Sequence, residues 1–178
     1  MSKRSSQLDK YPNYMTGQVT QSAADTATVS QFTTPIPRLQ TKGGKATVME
    51  LLSIEYNNNN TALDAINESI GFVFFGGQTS VTFTDLLISN PRVIANVDQF
   101  VTGATNVGIN IYKQYGTIKL QSKDGYGFLY AGDAINLLVT STNTGVANRV
   151  DFRIYYRFVE IPIVEFVGLV QSQQQSTS

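Results

Sequence analysis

Histidine and cysteine are both absent from this 178-residue chain. Without histidine there is no Ser-His-Asp or Cys-His arrangement, and the usual general base and the commonest transition-metal ligand are gone. Without cysteine there are no disulfides, thiolate nucleophiles or zinc-thiolate sites. Charge is scarce as well: 15% of residues are charged, against roughly 25% in a typical soluble domain. A surface so poor in charge needs other cover. Asn, Gln, Ser and Thr supply part of it, and partner subunits are the other means available. Long apolar runs are missing too. Phe72 to Phe75 is among the longest, far short of the roughly 20 residues that cross a bilayer as a helix. The opening MSKRSSQLDKYPNYM contains no apolar core of a secretory signal. A soluble protein with no membrane partner is expected.

Carboxylates, Lys and Tyr are what remains for catalysis. Asp124 and Asp133 flank a glycine-rich turn and are the one conceivable carboxylate pair of the glycosidase kind. Each also has a plain structural role, Asp124 in a Lys-Asp-Gly turn and Asp133 at a strand junction. Loop-tip Asp and Asn oxygens suit calcium chemically, but no EF-hand spacing is present. Neither GGQTS nor GGK has the spacing of a Walker loop. The expectation is a protein that is not an enzyme, with no catalytic residues, no metal ligands and no cofactor.

What the chain does have is strand pattern. In RVDFRIYYRFVE, Arg149 to Glu160, Val150, Phe152, Ile154, Tyr156 and Phe158 alternate with Asp151, Arg153, Tyr155, Arg157 and Val159. That is period-two alternation with one face in a core. The second face is richer in Arg and Tyr than plain solvent contact requires. ATVMELLSIEY (Ala46 to Tyr56) reads as another long strand, although its VMELL centre also suits a helix. Asn57 to Asn60 reads as a loop tip, and Thr61 to Ser69 as the one short helix. IGFVFF, SVTF, RVIANVDQFVT, VGINIYKQ, GTIKLQS and AINLLVTST follow at spacings of roughly 8 to 15 residues, with Gly or Asn between them. That spacing marks an all-β sandwich or barrel, and the length suits one domain.

Net charge is zero but uneven. Residues 1 to 45 hold Lys3, Arg4, Lys10, Arg38, Lys42 and Lys45 against Asp9 and Asp25, and the remainder carries the balancing acids. Three segments follow: an extended, mildly basic N-terminal arm at 1–44, in which QVTQSAADTATVSQFTT suits either an extended arm or one edge strand, a β body at 45–170, and a polar, low-complexity tail at 171–178 that is expected to be disordered.

The segment SKDGYGFLYAGDAINLLVTSTNTGVANRVDFRIYYRFVEIPIVEFVGLVQSQQ resembles the capsid proteins of Rep-encoding circular single-stranded DNA viruses (CRESS-DNA viruses). The likeness lies in the D-G-x-G turn, the Thr/Asn-rich loop with TG and AN, the long strand with YRF, and the closing EFVGLVQSQ. TPIPRL…GGKATVMELLSIEY looks like that family's approach to its first core strand. The resemblance implies a single jelly roll, two four-stranded antiparallel sheets, whose copies close into a small icosahedral shell. It also implies a single-stranded DNA cargo, a homo-oligomer of many copies (sixty in a T=1 shell), and a place in the virion, with assembly inside the host cell and its nucleus as the expected site. The arm departs from the family, because its first ten residues hold only three cations.

On that basis Lys3, Arg4, Lys10, Arg38, Lys42 and Lys45 are the candidates for phosphate contact, and Tyr11, Tyr14 and Phe32 for stacking on bases. Arg153 and Arg157, with Phe166, Val167 and Leu169 of the apolar tail, are the candidates for contact between subunits. Arg153 and Arg157 have two further openings: a DNA phosphate, or a ladder within the chain to Glu55 or an acid such as Asp151. Pro162 ends the regular ladder, so the apolar stretch after it needs cover. A jelly-roll module that binds carbohydrate through surface Tyr and Asn, without forming shells, is the competing reading.

Overall fold

The computed structural model describes residues 6–7, 11–35, 43–59, 68–77, 88–100 and 115–174. The elements are β1 (Ser6–Gln7), β2 (Asn13–Thr20), β3 (Thr28–Thr33), β4 (Lys45–Asn59), β5 (Ser69–Phe75), β6 (Val93–Phe100), β7 (Tyr115–Lys119), β8 (Phe128–Tyr130), β9 (Ala134–Thr142), β10 (Arg149–Pro162) and α1 (Ile163–Gln174). They form two antiparallel sheets. In the first, β10 and β4 are the central rows; β1 and β2 share the free side of β10, and β7 and β8 share the free side of β4. The second runs β3-β9-β5-β6. The result is four rows facing four rows with consecutive strands exchanging sheets, which is the jelly roll expected from the sequence.

The core lies where alternation directs apolar side chains inward. Val150, Phe152, Ile154 and Tyr156 of β10 meet Phe72, Phe74, Ile135, Leu137 and Val139 of the second sheet. Edge-to-face ring contacts tie the layers: Phe74 to Phe152 at 5.2 Å between centroids, and Tyr56 to Phe72 at 4.9 Å. Each such side chain contributes about 1.5–3 kcal/mol by leaving water. β5 is buried on both faces, because Val73 and Phe75 join a second cluster with Val93 and Leu138. Two glycines make room for large rings: Gly17 opposite Phe152 and Gly116 opposite Tyr56. A methyl group on Gly17 would stand 2.6 Å from Phe152 Cζ, and one on Gly116 2.6 Å from Tyr56 Cζ.

Four expectations need correction. The arm does not extend through residue 44, because β2 and β3 are paired strands, one in each sheet. Their polar composition belongs to edge rows, where most outward side chains meet water. Asn57 to Asn59 continue β4 opposite Arg149 to Asp151 instead of turning, and Asn58 reaches the other sheet through Gln99 (3.4 Å). Ile163 to Gln174 is a helix. Pro162 supplies a suitable start, the Ile163 N–H donates to the Gly44 carbonyl (3.0 Å), and Glu165 sits favourably in the first turn. The tail therefore does not begin at 171: the side-chain amide of Gln173 donates to Leu129 O (2.7 Å) and accepts from Ala131 N (3.1 Å), acting as an extra strand residue on the edge of β8. Of the expected helix at Thr61 to Ser69, residues 61–67 lie outside the described residues and Ser69 opens β5 instead; SVTF and VGINIYKQ also lie outside the described residues.

A polar lock holds one end of the sandwich. Asp25, in the left-handed region at φ 55°, accepts from Thr144 N (3.0 Å), Thr144 Oγ1 (3.1 Å) and Ser141 Oγ (3.3 Å). Gln21 Oε1 accepts from Asn148 N (2.8 Å) and Asn148 Nδ2 (3.0 Å). The β2–β3 turn is thereby tied to the β9–β10 loop. The Thr144 backbone N–H, then the Thr144 and Ser141 hydroxyls, lower the Asp25 pKa below 3.8. A depressed carboxylate stabilises the fold fully above its unfolded pKa, and that contribution is lost as pH falls through the folded value. Asp25→Asn is expected to flatten the acid limb of stability below about pH 4, measured by urea midpoints from pH 2 to 7; an unchanged limb would contradict the lock.

Candidate functional site

The outer face of the first sheet carries most of the chemistry on view. Register sets its rows. Gln18, Asp151, Asn57 and Tyr115 form one; Thr16, Arg153, Glu55 and Thr117 the next; Tyr14, Tyr155, Ser53 and Lys119 the third. Each β10 arginine on this face has an acid of its own chain. Arg149 holds Asp151 through two bonds of 2.9 and 3.0 Å. Arg153 Nη1 lies 3.6 Å from Glu55 Oε2 and donates to the Tyr155 hydroxyl at 3.2 Å. That hydroxyl donates onward to Glu55 Oε2 at 3.3 Å. The Arg153 guanidinium also lies 5.2 Å from the centre of the Tyr14 ring, in cation–π range.

The third pair is of a different kind. Arg157 Nε bonds to Glu50 Oε2, and the Glu50 side chain is only 2% exposed, against 46% for Glu55. Glu50 Oε1 accepts from Gly127 N at 2.7 Å. Gly127 permits this, since a side chain there would strike Leu51 and Glu50. The hydrogen bond to Glu50 raises the Arg157 pKa above its ordinary value.

Beyond Arg157 the same face is closed by α1. Val159, Ile161 and Val48 are buried with Leu129, Phe166 and Leu169 packed against them. Phe166, Leu169 and Gln173 recur on one side of the helix. The opposite side leaves Val164 80% and Val167 49% exposed. Towards the other end the face opens into a depression of about 520 Å³, with Tyr115, Arg153, Glu55, Asn57 and Thr117 in its lining. Tyr115 is 70% exposed and Tyr14 62%.

The expected phosphate contacts are not gathered into one visible site. Lys3, Arg4, Lys10, Arg38 and Lys42 lie outside the described residues. Lys45 is described and pairs with Glu160 at 3.3 Å. Arg153 and Arg157, expected at a subunit contact, take the ladder within the chain. Phe166 and Leu169 pack on their own body, so of the tail residues only Val167 faces outward. Of the stacking candidates, Tyr11 and Tyr14 are exposed, while Phe32 packs on the core against Phe152 at 4.8 Å. Asp124 lies in the turn closed by Ser122 N to Tyr126 O, and Asp133 offers its backbone oxygen to Thr34 N. Among the described residues no group of three or more acidic, His or Cys side chains is placed to hold a metal. Glu50, Tyr115 and Val164 were not singled out from sequence. Glu50 had a signal, as an acid set between Met49 and Leu51 in an apolar run.

The strand order and sandwich define a single jelly roll spanning nearly the whole described chain. Viral proteins are among the solved structures similar to it in fold. VP1 of Trichodysplasia spinulosa-associated polyomavirus, in complex with sialylated precision glycooligomers, is similar at TM-score 0.54 and 10% identity, covering 89% of this chain and 98% of that one. Merkel cell polyomavirus VP1 is similar as a complex with disialyllactose (TM-score 0.53, 10% identity, 90% and 99% covered) and as an unassembled pentamer (0.54, 9%, 90% and 99%). No protein-family model and no curated protein sequence matches the chain.

The burial difference between the two cross-strand pairs predicts different costs. Arg157→Met leaves a buried carboxylate unpaired and is expected to destabilise by about 3 kcal/mol. Arg153→Met breaks an exposed pair and is expected to cost at most about 1 kcal/mol. Urea unfolding of both variants checks this, and equal losses would show that burial does not separate them.

Proposed function

We propose that this chain is the shell-forming subunit of a viral capsid, with many copies closing into a small icosahedral particle, a T=1 shell, around a circular single-stranded DNA genome. The observation that carries this is the likeness in fold to viral VP1 chains, which runs over 90% of this chain and 99% of the VP1 pentamer subunit. The motifs from Asp124 onward add the resemblance to CRESS-DNA virus capsids, and with it the single-stranded DNA cargo, the location in the virion and assembly in the host nucleus. The role is structural. Closed symmetry lets many modest contacts sum to a stable particle.

Two features of the surface favour assembly. The chain carries little charge, so copies repel one another weakly. The outward side of α1 presents Val164 and Val167 to solvent, and burying them against a neighbour removes apolar area from water. The described ends of two cation-bearing segments also converge. Ser6 lies opposite Glu160, and Lys45 lies opposite Pro162, at the same end of the first sheet.

The purified chain is expected to elute as megadalton particles when its mass is read by light scattering after size exclusion. Val164→Asp with Val167→Asp is expected to reduce this to small species while the unfolding midpoint moves by less than about 0.5 kcal/mol, as exposed sites do. A wild-type mass near one chain across salt and pH would remove the capsid reading.

A further inference from the structure

The depression on the first sheet has walls and a floor of different character. Its walls come from β10 and β7, which flank β4. Tyr115 stands in the row of Asp151 and Asn57, one row along from Arg153; with strands about 4.8 Å apart and rows about 6.8 Å apart, the two positions lie roughly 12 Å apart on the diagonal. One wall is the Arg153 guanidinium, held flat by the Tyr14 ring and by the Tyr155 hydroxyl. The other includes the exposed Tyr115 ring. The floor is polar: Glu55 and Thr117, beside Asn57. Both contacts from Arg153 and Tyr155 fall on Glu55 Oε2, leaving Oε1 outside them.

Charge narrows the occupant. Glu55 and Asp151 stand in the depression, each matched by an arginine, so the lining is close to neutral. A phosphate gains little there, whereas a flat neutral ring gains two stacking partners. Phosphates fit at the margin, where Lys119 is exposed one row away. We propose that this trough binds a base of single-stranded nucleic acid, stacked between Tyr115 and the Arg153–Tyr14 pair with its edge on Glu55 and Thr117. The site rests on the reading of a nucleic-acid cargo and assigns its contact to the ordered sheet face. Stacking on aromatic and guanidinium planes is how single strands are held without a sequence code. A carboxylate accepts from the N4 amine of cytosine and equally from the N3–H of thymine, which is free on an unpaired base, so Glu55 suits either pyrimidine edge.

The test titrates the full-length chain with fluorescent (dC)8, (dT)8, an abasic phosphodiester chain of the same length, and maltohexaose. Wild type is expected to bind (dC)8 and (dT)8 each at least about fivefold more tightly than the abasic chain, the lower end of one base–aromatic stack. Tyr115→Ala is expected to lose that advantage, while Tyr126→Ala, an exposed tyrosine outside the trough, keeps it. Equal affinity for the abasic chain, no effect of Tyr115→Ala, or binding of maltohexaose in place of DNA would each overturn the proposal. Particle mass measured on the same preparations separates the two readings. Shells that form while Tyr115→Ala changes nothing leave the capsid standing without this site. A chain that never assembles yet stacks bases through Tyr115 keeps the site and removes the capsid.

Discussion

β10 and β4 pair from Arg149 opposite Asn59 to Pro162 opposite Lys45, with one slip, at Leu52. Every other row of the first sheet hangs on this pair: β1 and β2 on one side, β7 and β8 on the other. Because side chains alternate, fixing its register also fixes which residues enter the core. Val150, Phe152 and Ile154 go in with Tyr56 and Ile54, and their rings and branches meet β5 and β9 of the facing sheet. A slip of one residue would bury Arg153 and Asp151 and expose Phe152, so the register is strongly specified.

The outer side of that pair passes through three environments. At Val159 and Ile161 it is dry beneath α1. At Arg157 it is nearly closed, and an ion pair survives because Glu50 also takes the Gly127 N–H and its arginine remains partly in water. At Arg153 and Asp151 it is open, and similar pairs serve mainly to orient side chains. One alternating pattern thus supplies a helix seat, a buried ion pair and an open aromatic trough. The difference comes from what lies over each row, and α1 decides it.

That dependence explains how much was legible in the sequence. The all-β sandwich could be read because β10, β9 and β5 carry unbroken strand pattern between turn residues, and the turn at Gly125 has the positive φ its glycine suggests; the choice of a jelly roll among such folds came from the resemblance of the motifs from Asp124 onward. β4 was ambiguous because Leu52 is the extra residue at the slip: inward positions run Met49, Leu51, Ile54, Tyr56, and the step of three between Leu51 and Ile54 imitates a helix. α1 was hidden for a related reason. Ile163, Val164, Val167 and Val170 are β-branched and favour strands locally, and only packing on Val48, Val159 and Ile161 makes the segment helical. The arm was drawn too long because edge strands with polar outward faces look like linkers. The trough could not be read at all, since Tyr115, Glu55 and Arg153 lie on three strands far apart in sequence, joined only by register.

The zero net charge gains a physical sense from the same face. Each outward arginine of β10 is matched inside its own chain, so the surface offers neither neighbours nor cargo a strong field. Contacts between copies then rest on apolar area such as the outward side of α1, which salt screens little. In the proposed reading, contact with a single strand rests on stacking at the trough. The two demands on a shell subunit, closing with its neighbours and holding a polyanion, thereby fall on different surfaces and different forces. A denser basic arm would have strengthened the second at the cost of repulsion between copies brought together in a closed particle. With little charge to repel, that cost is small, and modest apolar contacts repeated by symmetry are enough to close the shell in this reading.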